Sequence, residues 1–279
     1  MRSIYPQRPS DDHATEHVVC FDIETVVDEE LADGSFPPWP RHKPVAASFL
    51  SADWQPDHRY KFRLDTLICH PGDETVFYAS VDRLLPERVT SVSFNGRGFD
   101  FPVLQIQAMA AGQFELDGLS HHTHAHRYGP HHCDLADQFS CYGGTRRVGL
   151  AEICAALDIP VKTSTHGSEV GELWRAGDTA AITRYVEEDV IATYLVWLHW
   201  AAFRANEERR IAEPLADLAA WFESAPELAH LRGFATCRPA LWARSRVLRH
   251  RVTRALTEAD RRVRQAADER AFAGDRPIF

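Results

Sequence analysis

Residues 17–27 read HVVCFDIETVV, and this stretch decides the fold of the chain. Its β-branched and apolar side chains predict a buried β-strand. Asp22 and Glu24 stand two residues apart in it, so the strand would project both carboxylates from one face. Two ionised carboxylates side by side on a buried strand repel each other and lose hydration, so they require a cation. Carboxylate oxygens favour Mg²⁺ or Mn²⁺, although a solvent-facing D-x-E pair on an edge strand is the alternative for this motif alone.

Two further motifs carry acidic residues. NGRGFD at residues 95–100 follows a short predicted strand and precedes a predicted helix. Asp100 could reach toward the first two carboxylates, or it could cap the helix that begins at Phe101. YVEED at residues 185–189 falls on a long amphipathic helix, where Tyr185 and Asp189 are four residues apart and share one face. Taken singly, this last spacing is more typical of a half-exposed helix surface than of a functional site.

The order of elements around these motifs predicts an α/β or α+β domain with a mixed sheet. Period-two and apolar runs predict strands at residues 17–27, 45–54, 59–69 and 89–95. Helical periodicity predicts helices at residues 73–86, 101–111, 148–157 and 178–204, and a helical pattern over 207–279. Asp178 is a plausible N-cap. Residues 28–44, with four prolines, and residues 112–132 predict loops.

Composition excludes several classes of protein. With 279 residues, 44% hydrophobic and 25% charged, the chain has globular composition, so wholesale disorder is excluded. A net charge of −9 argues against coating nucleic acid by bulk charge, but it permits a local acidic metal site. No apolar run approaches the ~18 residues of a membrane helix. The first 16 residues lack the apolar core of a signal peptide and the six cysteines form no C-x-x-C pair, so we expect reduced thiols and a cytoplasmic protein.

Charge and histidine are unevenly distributed. Residues 241–279 carry a net charge of +5, against −14 for the rest. These arginines could steer a phosphate backbone, or they could belong to a solvated helix; they are Arg244, Arg246, Arg249, Arg251, Arg254, Arg261, Arg262 and Arg264. Six histidines fall in the predicted loop: His121, His122, His124, His126, His131 and His132. Their spacing matches no closed four-ligand zinc site, so we expect a solvated loop lining a substrate groove rather than a metal site.

The three motifs in this order resemble the DEDD superfamily of 3′-5′ exonucleases, and the tyrosine in YVEED places the resemblance in the DEDDy branch. FDIET, SFNGRGFDFPVL and YVEEDVIAT look most like the proofreading domain of B-family DNA polymerases, and the closest resemblance is to stand-alone bacterial exonucleases of that type. CDLADQFSCYGG, GLAEICAALDIP and THGSEVGELW extend it over residues 17–204. The resemblance implies an RNase H-like mixed five-stranded sheet flanked by helices. We therefore expect a flexible tail at 1–16, an exonuclease domain at 17–204 and a C-terminal helical extension at 205–279.

The resemblance also implies a role for each acidic residue. The four metal-binding carboxylates of the family fall on Asp22, Glu24, Asp100 and Asp189, with two Mg²⁺ or Mn²⁺ ions as cofactors. Asp22 would bridge the two ions, Glu24 and Asp189 would hold the ion that activates water, and Asp100 would act through the second ion. The catalytic tyrosine falls on Tyr185, whose ordinary pKa of about 10 makes it a poor base. We expect its hydroxyl to orient the attacking water.

The implied partner is the 3′ end of single-stranded nucleic acid, with DNA favoured over RNA and nucleoside 5′-monophosphates as products. Thr25, Asn95 and Phe99 are candidate substrate contacts, although Asn95 is more readily explained as locking a turn and Phe99 as core. Lys162 could lie near the scissile phosphate or at a charged loop tip. An RNA exonuclease of the same superfamily and a non-catalytic binding module are the alternatives; intact Asp22 and its four partners argue against the second.

Overall fold

The computed structural model describes residues 17–27, 31, 35–56, 59–161 and 167–274. The expected tail at 1–16 and the candidate substrate contact Lys162 lie outside the described residues. Among the helices of the described part, none is both long enough and apolar enough to cross a bilayer. The six cysteines are free thiols, and four of them are buried.

A mixed five-stranded sheet forms the centre of the molecule, as predicted. The strands are β1 (His17–Val26), β2 (Lys43–Trp54), β3 (Tyr60–Ile68), β4 (Thr90–Ser93) and β5 (His132–Asp134). Their order across the sheet is β3-β2-β1-β4-β5. The first three strands form an antiparallel meander, whereas β4 runs parallel to β1 and β5 runs parallel to β4. The α/β fold class is therefore confirmed.

Helices cover both faces of the sheet. The first five helices along the chain are α1 (Glu74–Leu84), α2 (Asp100–Ala110), α3 (Asp117–Thr123), α4 (Leu135–Phe139) and α5 (Leu150–Ala156). They are followed by α6 (Gly167–Ala176), α7 (Thr179–Ala205), α8 (Arg209–Ser224), α9 (Arg232–Thr236) and α10 (Arg238–Gly274). Short 3₁₀ helices lie at Trp39–Arg41 and Pro226–Leu231. Asp178 caps α7 as predicted, because its side chain accepts a hydrogen bond from the backbone N–H of Ala181 at 2.9 Å.

Alternation along β1 divides the core into two layers. Val18 and Cys20 pack with α7 on one face, whereas Phe21 and Ile23 pack with α1 and α2 on the other. Asp22 and Glu24 continue the row of Val18 and Cys20, so their side chains project on the α7 side. The C-terminal helices share this layer, because Leu215, Phe222 and Ala240 belong to the same cluster of buried residues as the side chains of α7. The division of the chain at residue 204 stays a prediction.

The prediction of a solvated histidine loop at 112–132 was wrong for the part that forms α3 and for two of the histidines, whereas residues 124–131 form a loop that exposes His124, His126 and His131. The segment contains α3 and leads directly into β5. His122 and His132 are buried, and burial lowers the pKa of both rings. The Nε2 of His122 donates to the carbonyl oxygen of Pro86 at 3.1 Å, and the Ser91 hydroxyl lies 3.0 Å from its Nδ1. These two histidines are hydrogen-bonded core residues rather than members of a groove lining.

Candidate active site

The candidate site lies where β1 extends past the end of β4. The two strands pair only over residues 18–20 of β1, and β4 ends at Ser93. The remainder of β1 therefore has an open edge on that side, and it carries Asp22 and Glu24. Helix α7 packs on the same face of the sheet as these two side chains and brings Asp189 over them.

Three carboxylates converge at this point. Oxygen atoms of Asp22, Glu24 and Asp189 all lie within 4.8 Å of one another. Glu24 is buried and the other two are half-buried, so water alone screens their mutual repulsion poorly. A set of three carboxylate oxygens at this spacing fits a hard divalent cation such as Mg²⁺ or Mn²⁺. The sequence predicted this meeting of β1 and α7.

Tyr185 stands one helical turn before Asp189. Burial raises the pKa of its phenol above the ordinary value, and the negative charges of Asp189 and Glu24 raise it further. The phenol is therefore un-ionised at neutral pH and available as a hydrogen-bond donor. Glu169 on α6 contributes in the same direction, although the sequence analysis neither predicted that helix nor singled out that carboxylate.

Asp100 begins α2 beside this cluster but lies outside the group of three. Its Oδ1 accepts a hydrogen bond from the backbone N–H of Ile23 at 3.2 Å, at the open edge of β1. The carboxyl is buried, and burial raises its pKa to about 7, with the negative charge of Asp134 adding to the effect. The bond to Ile23 holds Asp100 against the backbone between Asp22 and Glu24. The alternative assignment of Asp100 as N-cap does not apply, because Phe99 occupies that position.

Residues 34–237 match the family described as predicted 3′-5′ exonucleases related to the exonuclease domain of PolB. The chain belongs to this family. The description of the family agrees with the activity that the resemblance of the motifs implied. The matched region starts after β1, so it includes Asp100, Tyr185 and Asp189 but not Asp22 and Glu24. Comparison with curated proteins gives no match.

Solved structures share parts of the fold at low sequence identity. The family B DNA polymerase of the hyperthermophilic archaeon Pyrobaculum calidifontis is 19% identical with a TM-score of 0.44, over 74% of this chain and 28% of that chain. Exonuclease I of E. coli, in complex with a dT13 oligonucleotide, is 13% identical with a TM-score of 0.40, over 74% of this chain and 46% of that chain. The chain thus spans less than half of the length of either structure.

Asp134, which the motifs of the sequence did not single out, holds the backbone next to Asp100. It ends β5, and its carboxylate accepts hydrogen bonds from the backbone N–H groups of Asn95 at 3.0 Å and Arg97 at 2.9 Å. The same carboxylate caps α4 through the N–H of Ala136. A capping signal, DLAD, was present in the sequence, but its second task depends on the pairing of β4 with β5.

Asn95 occupies a strained turn position between β4 and α2. Its φ of 68° lies in the left-handed region, which asparagine tolerates better than most residues. Its side-chain oxygen accepts a hydrogen bond from Arg147 at 2.7 Å. A Cβ on Gly98 would lie only 2.5 Å from that oxygen, so the second glycine of the NGRG turn leaves room for the Asn95 side chain. This arrangement fits the turn-locking interpretation of Asn95.

Thr25 and Phe99 meet around a histidine that the sequence did not single out. A register shift in β1 falls between Glu24 and Thr25. Because Nε2 of His42 donates to the Pro37 carbonyl at 3.1 Å, its Nδ1 accepts from the Thr25 hydroxyl, 2.8 Å away. The Phe99 ring, half-buried, lies edge-on to His42 at 4.9 Å between centroids. His42 falls in the proline-rich stretch that predicted only a loop.

Glu187 lies between Tyr185 and Asp189 in sequence but faces away from the cluster. Its Oε1 accepts a hydrogen bond from the Thr66 hydroxyl at 2.8 Å, and its Oε2 accepts one from Nε2 of His230 at 2.7 Å. Thr66 in turn accepts from Ser48, the cross-strand neighbour of Asp22, at 3.0 Å. A partly buried chain of polar groups therefore joins the middle of the sheet to the C-terminal region.

Proposed function

We propose that this exonuclease removes nucleotides from the 3′ end of single-stranded DNA with the help of two divalent cations, Mg²⁺ or Mn²⁺. The observation that carries the proposal is the convergence of Asp22, Glu24 and Asp189 within 4.8 Å, with Tyr185 on the same helix turn. Such a concentration of carboxylates on an otherwise apolar face of the sheet is stable only with compensating positive charge. DNA is favoured because the family is related to a polymerase exonuclease domain.

The roles of the residues follow from their positions. When bound, two divalent cations supply an activated water and neutralise the leaving 3′ oxygen. Asp22, Glu24 and Asp189 would hold these cations, and Asp100 would complete the set from the α2 side. Because its pKa is raised, Tyr185 keeps its proton and donates a hydrogen bond that orients the attacking water, instead of removing a proton.

The substrate contacts remain proposals of the same kind. Phe99 lies next to Asp100, and its half-exposed ring is suited to contact the terminal base. The hydroxyl of Thr25 donates a hydrogen bond to His42, so its side chain already has a partner. We therefore propose that the backbone of Thr25, and not its side chain, contacts the terminal nucleotide. Asn95 would act indirectly, through the turn that it shares with Arg147.

The test uses 5′-labelled single-stranded DNA and RNA oligomers of the same sequence, with Mg²⁺ or with Mn²⁺. We expect a ladder that shortens from the 3′ end on DNA. Asp22→Ala should abolish the ladder. Asp53→Ala removes a partly exposed carboxylate from the neighbouring strand β2, opposite His17 and away from the cluster, and should leave the ladder intact. Internal cuts, or an equal loss in both variants, would contradict the proposal. Shortening of RNA alone would transfer it to the RNA exonuclease alternative.

A further inference from the structure

The distal part of α10 projects from the body of the molecule. Ala240 and Ala243 are buried against the other C-terminal helices, but every residue from 251 to 265 is exposed, on all sides of the helix. A single helix without a packed face is only marginally stable in water, since most helical stability in proteins comes from tertiary packing. Within the described part of one copy, this segment therefore lacks a packed face.

An apolar stripe runs along the exposed side of α10 and extends into the projecting segment. Five large apolar residues of α10 are half to two-thirds exposed: Leu241, Leu248, Val252, Leu256 and Val263. They account for five of the fourteen exposed large hydrophobic residues in the described part of the chain. At about 100° per residue they fall on one face, in a strip about 33 Å long. An apolar strip of this length on one helix is typical of a helix–helix contact.

The positions of the stripe are symmetric about Val252. Leu248 and Leu256 lie four residues on either side of it, and Leu241 and Val263 lie eleven residues on either side. If two copies of α10 pack antiparallel with Val252 at the two-fold axis, every apolar residue of one copy comes level with an apolar residue of the other. A self-complementary surface of this kind is what a two-fold interface between identical chains requires.

The arginines of α10 bear on the relative orientation of the two copies. A parallel, in-register arrangement would place each arginine beside the same arginine of the second copy, and such contacts between like charges are unfavourable. The stripe is a poor surface for a phosphate backbone. In addition, four of the arginines already pair with carboxylates of the same chain: Arg244, Arg246, Arg262 and Arg264.

We propose that the stripe on α10 is a self-association surface, through which two copies of the exonuclease pair antiparallel about Val252. The pairing buries the five apolar side chains of each copy and gives the projecting helix the packed face that it lacks. It does not depend on the substrate or on the cations proposed above, because the stripe and the carboxylate cluster share no residue.

The first test is the mass of the full chain by sedimentation velocity over a range of concentrations. We expect a dimer for the wild type. Val252→Glu should weaken it at least ~100-fold, because the two-fold axis brings two charged side chains into an apolar contact. Thr257→Glu adds the same charge to an exposed position on the far side of the helix and should leave the dimer intact. A monomer up to about 100 µM, or a dimer that survives Val252→Glu, would overturn the proposal.

The second test is disulfide cross-linking of single-cysteine additions under mild oxidation, in a chain with the exposed Cys141 replaced by alanine. Val252→Cys should cross-link with itself. Leu248→Cys and Leu256→Cys should each give no cross-link when used alone. The antiparallel pairing separates each cysteine from the same cysteine of the other copy by eight residues along the helix, or about 12 Å. A mixture of these two variants should cross-link. Cross-linking of all three single variants would indicate a parallel pair and refute the antiparallel alignment.

Discussion

Glu187 and Asp189 should respond to mutation in opposite ways, although both belong to the YVEED motif. Glu187 is buried and accepts hydrogen bonds from Thr66 at 2.8 Å and His230 at 2.7 Å. Replacement by alanine removes the acceptor of both bonds; Thr66 keeps Ser48 as a partner, whereas the His230 ring loses its bond to Glu187. A loss of this kind at a partly buried site costs about 1–3 kcal/mol of the free energy of unfolding. Glu187→Gln preserves the volume and can keep both contacts, so we expect a loss of about 1 kcal/mol.

Asp189→Asn should leave the stability of the metal-free exonuclease unchanged or slightly raised, because it removes one of three mutually repelling carboxylates. Its exonuclease rate should fall at least about 100-fold, because a ligand of the cations is lost. Glu187→Ala, measured at a temperature where it is folded, should retain the wild-type rate within a few-fold.

The assay pairs urea unfolding, followed by tryptophan fluorescence in EDTA, with exonuclease rates on a 5′-labelled oligomer. We expect the urea midpoint to fall for Glu187→Ala and the exonuclease rate to fall for Asp189→Asn. If Glu187→Ala unfolds at the wild-type urea concentration, the polar chain from Ser48 to His230 does not stabilise the fold. If folded Glu187→Ala is as inactive as Asp189→Asn, then Glu187 takes part in the chemistry and the assignment of the three acids in YVEED is wrong.

Two further predictions concern Tyr185 and Asp100. Tyr185→Phe should slow the reaction by about 5- to 30-fold, the equivalent of one hydrogen bond of about 1–2 kcal/mol, with an unchanged pH–rate profile. A loss as large as that of Asp189→Asn, or a shifted profile, would indicate that the phenol acts as a base. The raised pKa of Asp100, about 7 against about 3.9 unfolded, means that the folded state holds a proton that the unfolded chain releases. Its contribution to the free energy of unfolding in EDTA should therefore be full below pH 4 and should fall by about 1.4 kcal/mol per pH unit up to pH 7. The urea midpoints of Asp100→Asn should lack this decline. Parallel pH curves for the wild type and the variant would contradict the buried neutral carboxyl.

The central strands and the three motifs could be predicted from the sequence because their signals are local. The alternation in HVVCFDIETVV fixes which face carries Asp22 and Glu24, and the four-residue spacing fixes that Tyr185 and Asp189 share a helix face. The meeting of β1 with α7 is a contact between distant parts of the chain, and it was predicted only through the resemblance of the ordered motifs to the DEDD exonucleases.

The elements that escaped prediction depend on distant partners. β5 has only three residues and becomes a strand because β4 pairs with it, and His122 becomes a core residue because Ser91 and Pro86 supply its hydrogen bonds. Glu187 finds His230 across 43 positions of the chain. Periodicity and turn signals contain no information on such pairings, so the polar connections around the site could only come from the structure.

Helix α7 joins the carboxylate cluster to the core without a break. Directly after Asp189, nine consecutive residues, 190–198, are buried on every side of the helix. Amide protons in this stretch can meet solvent only when the surrounding core separates, so their hydrogen exchange should report the global unfolding reaction and not a local opening. Cation binding at the cluster should then slow exchange throughout that stretch by the full binding free energy.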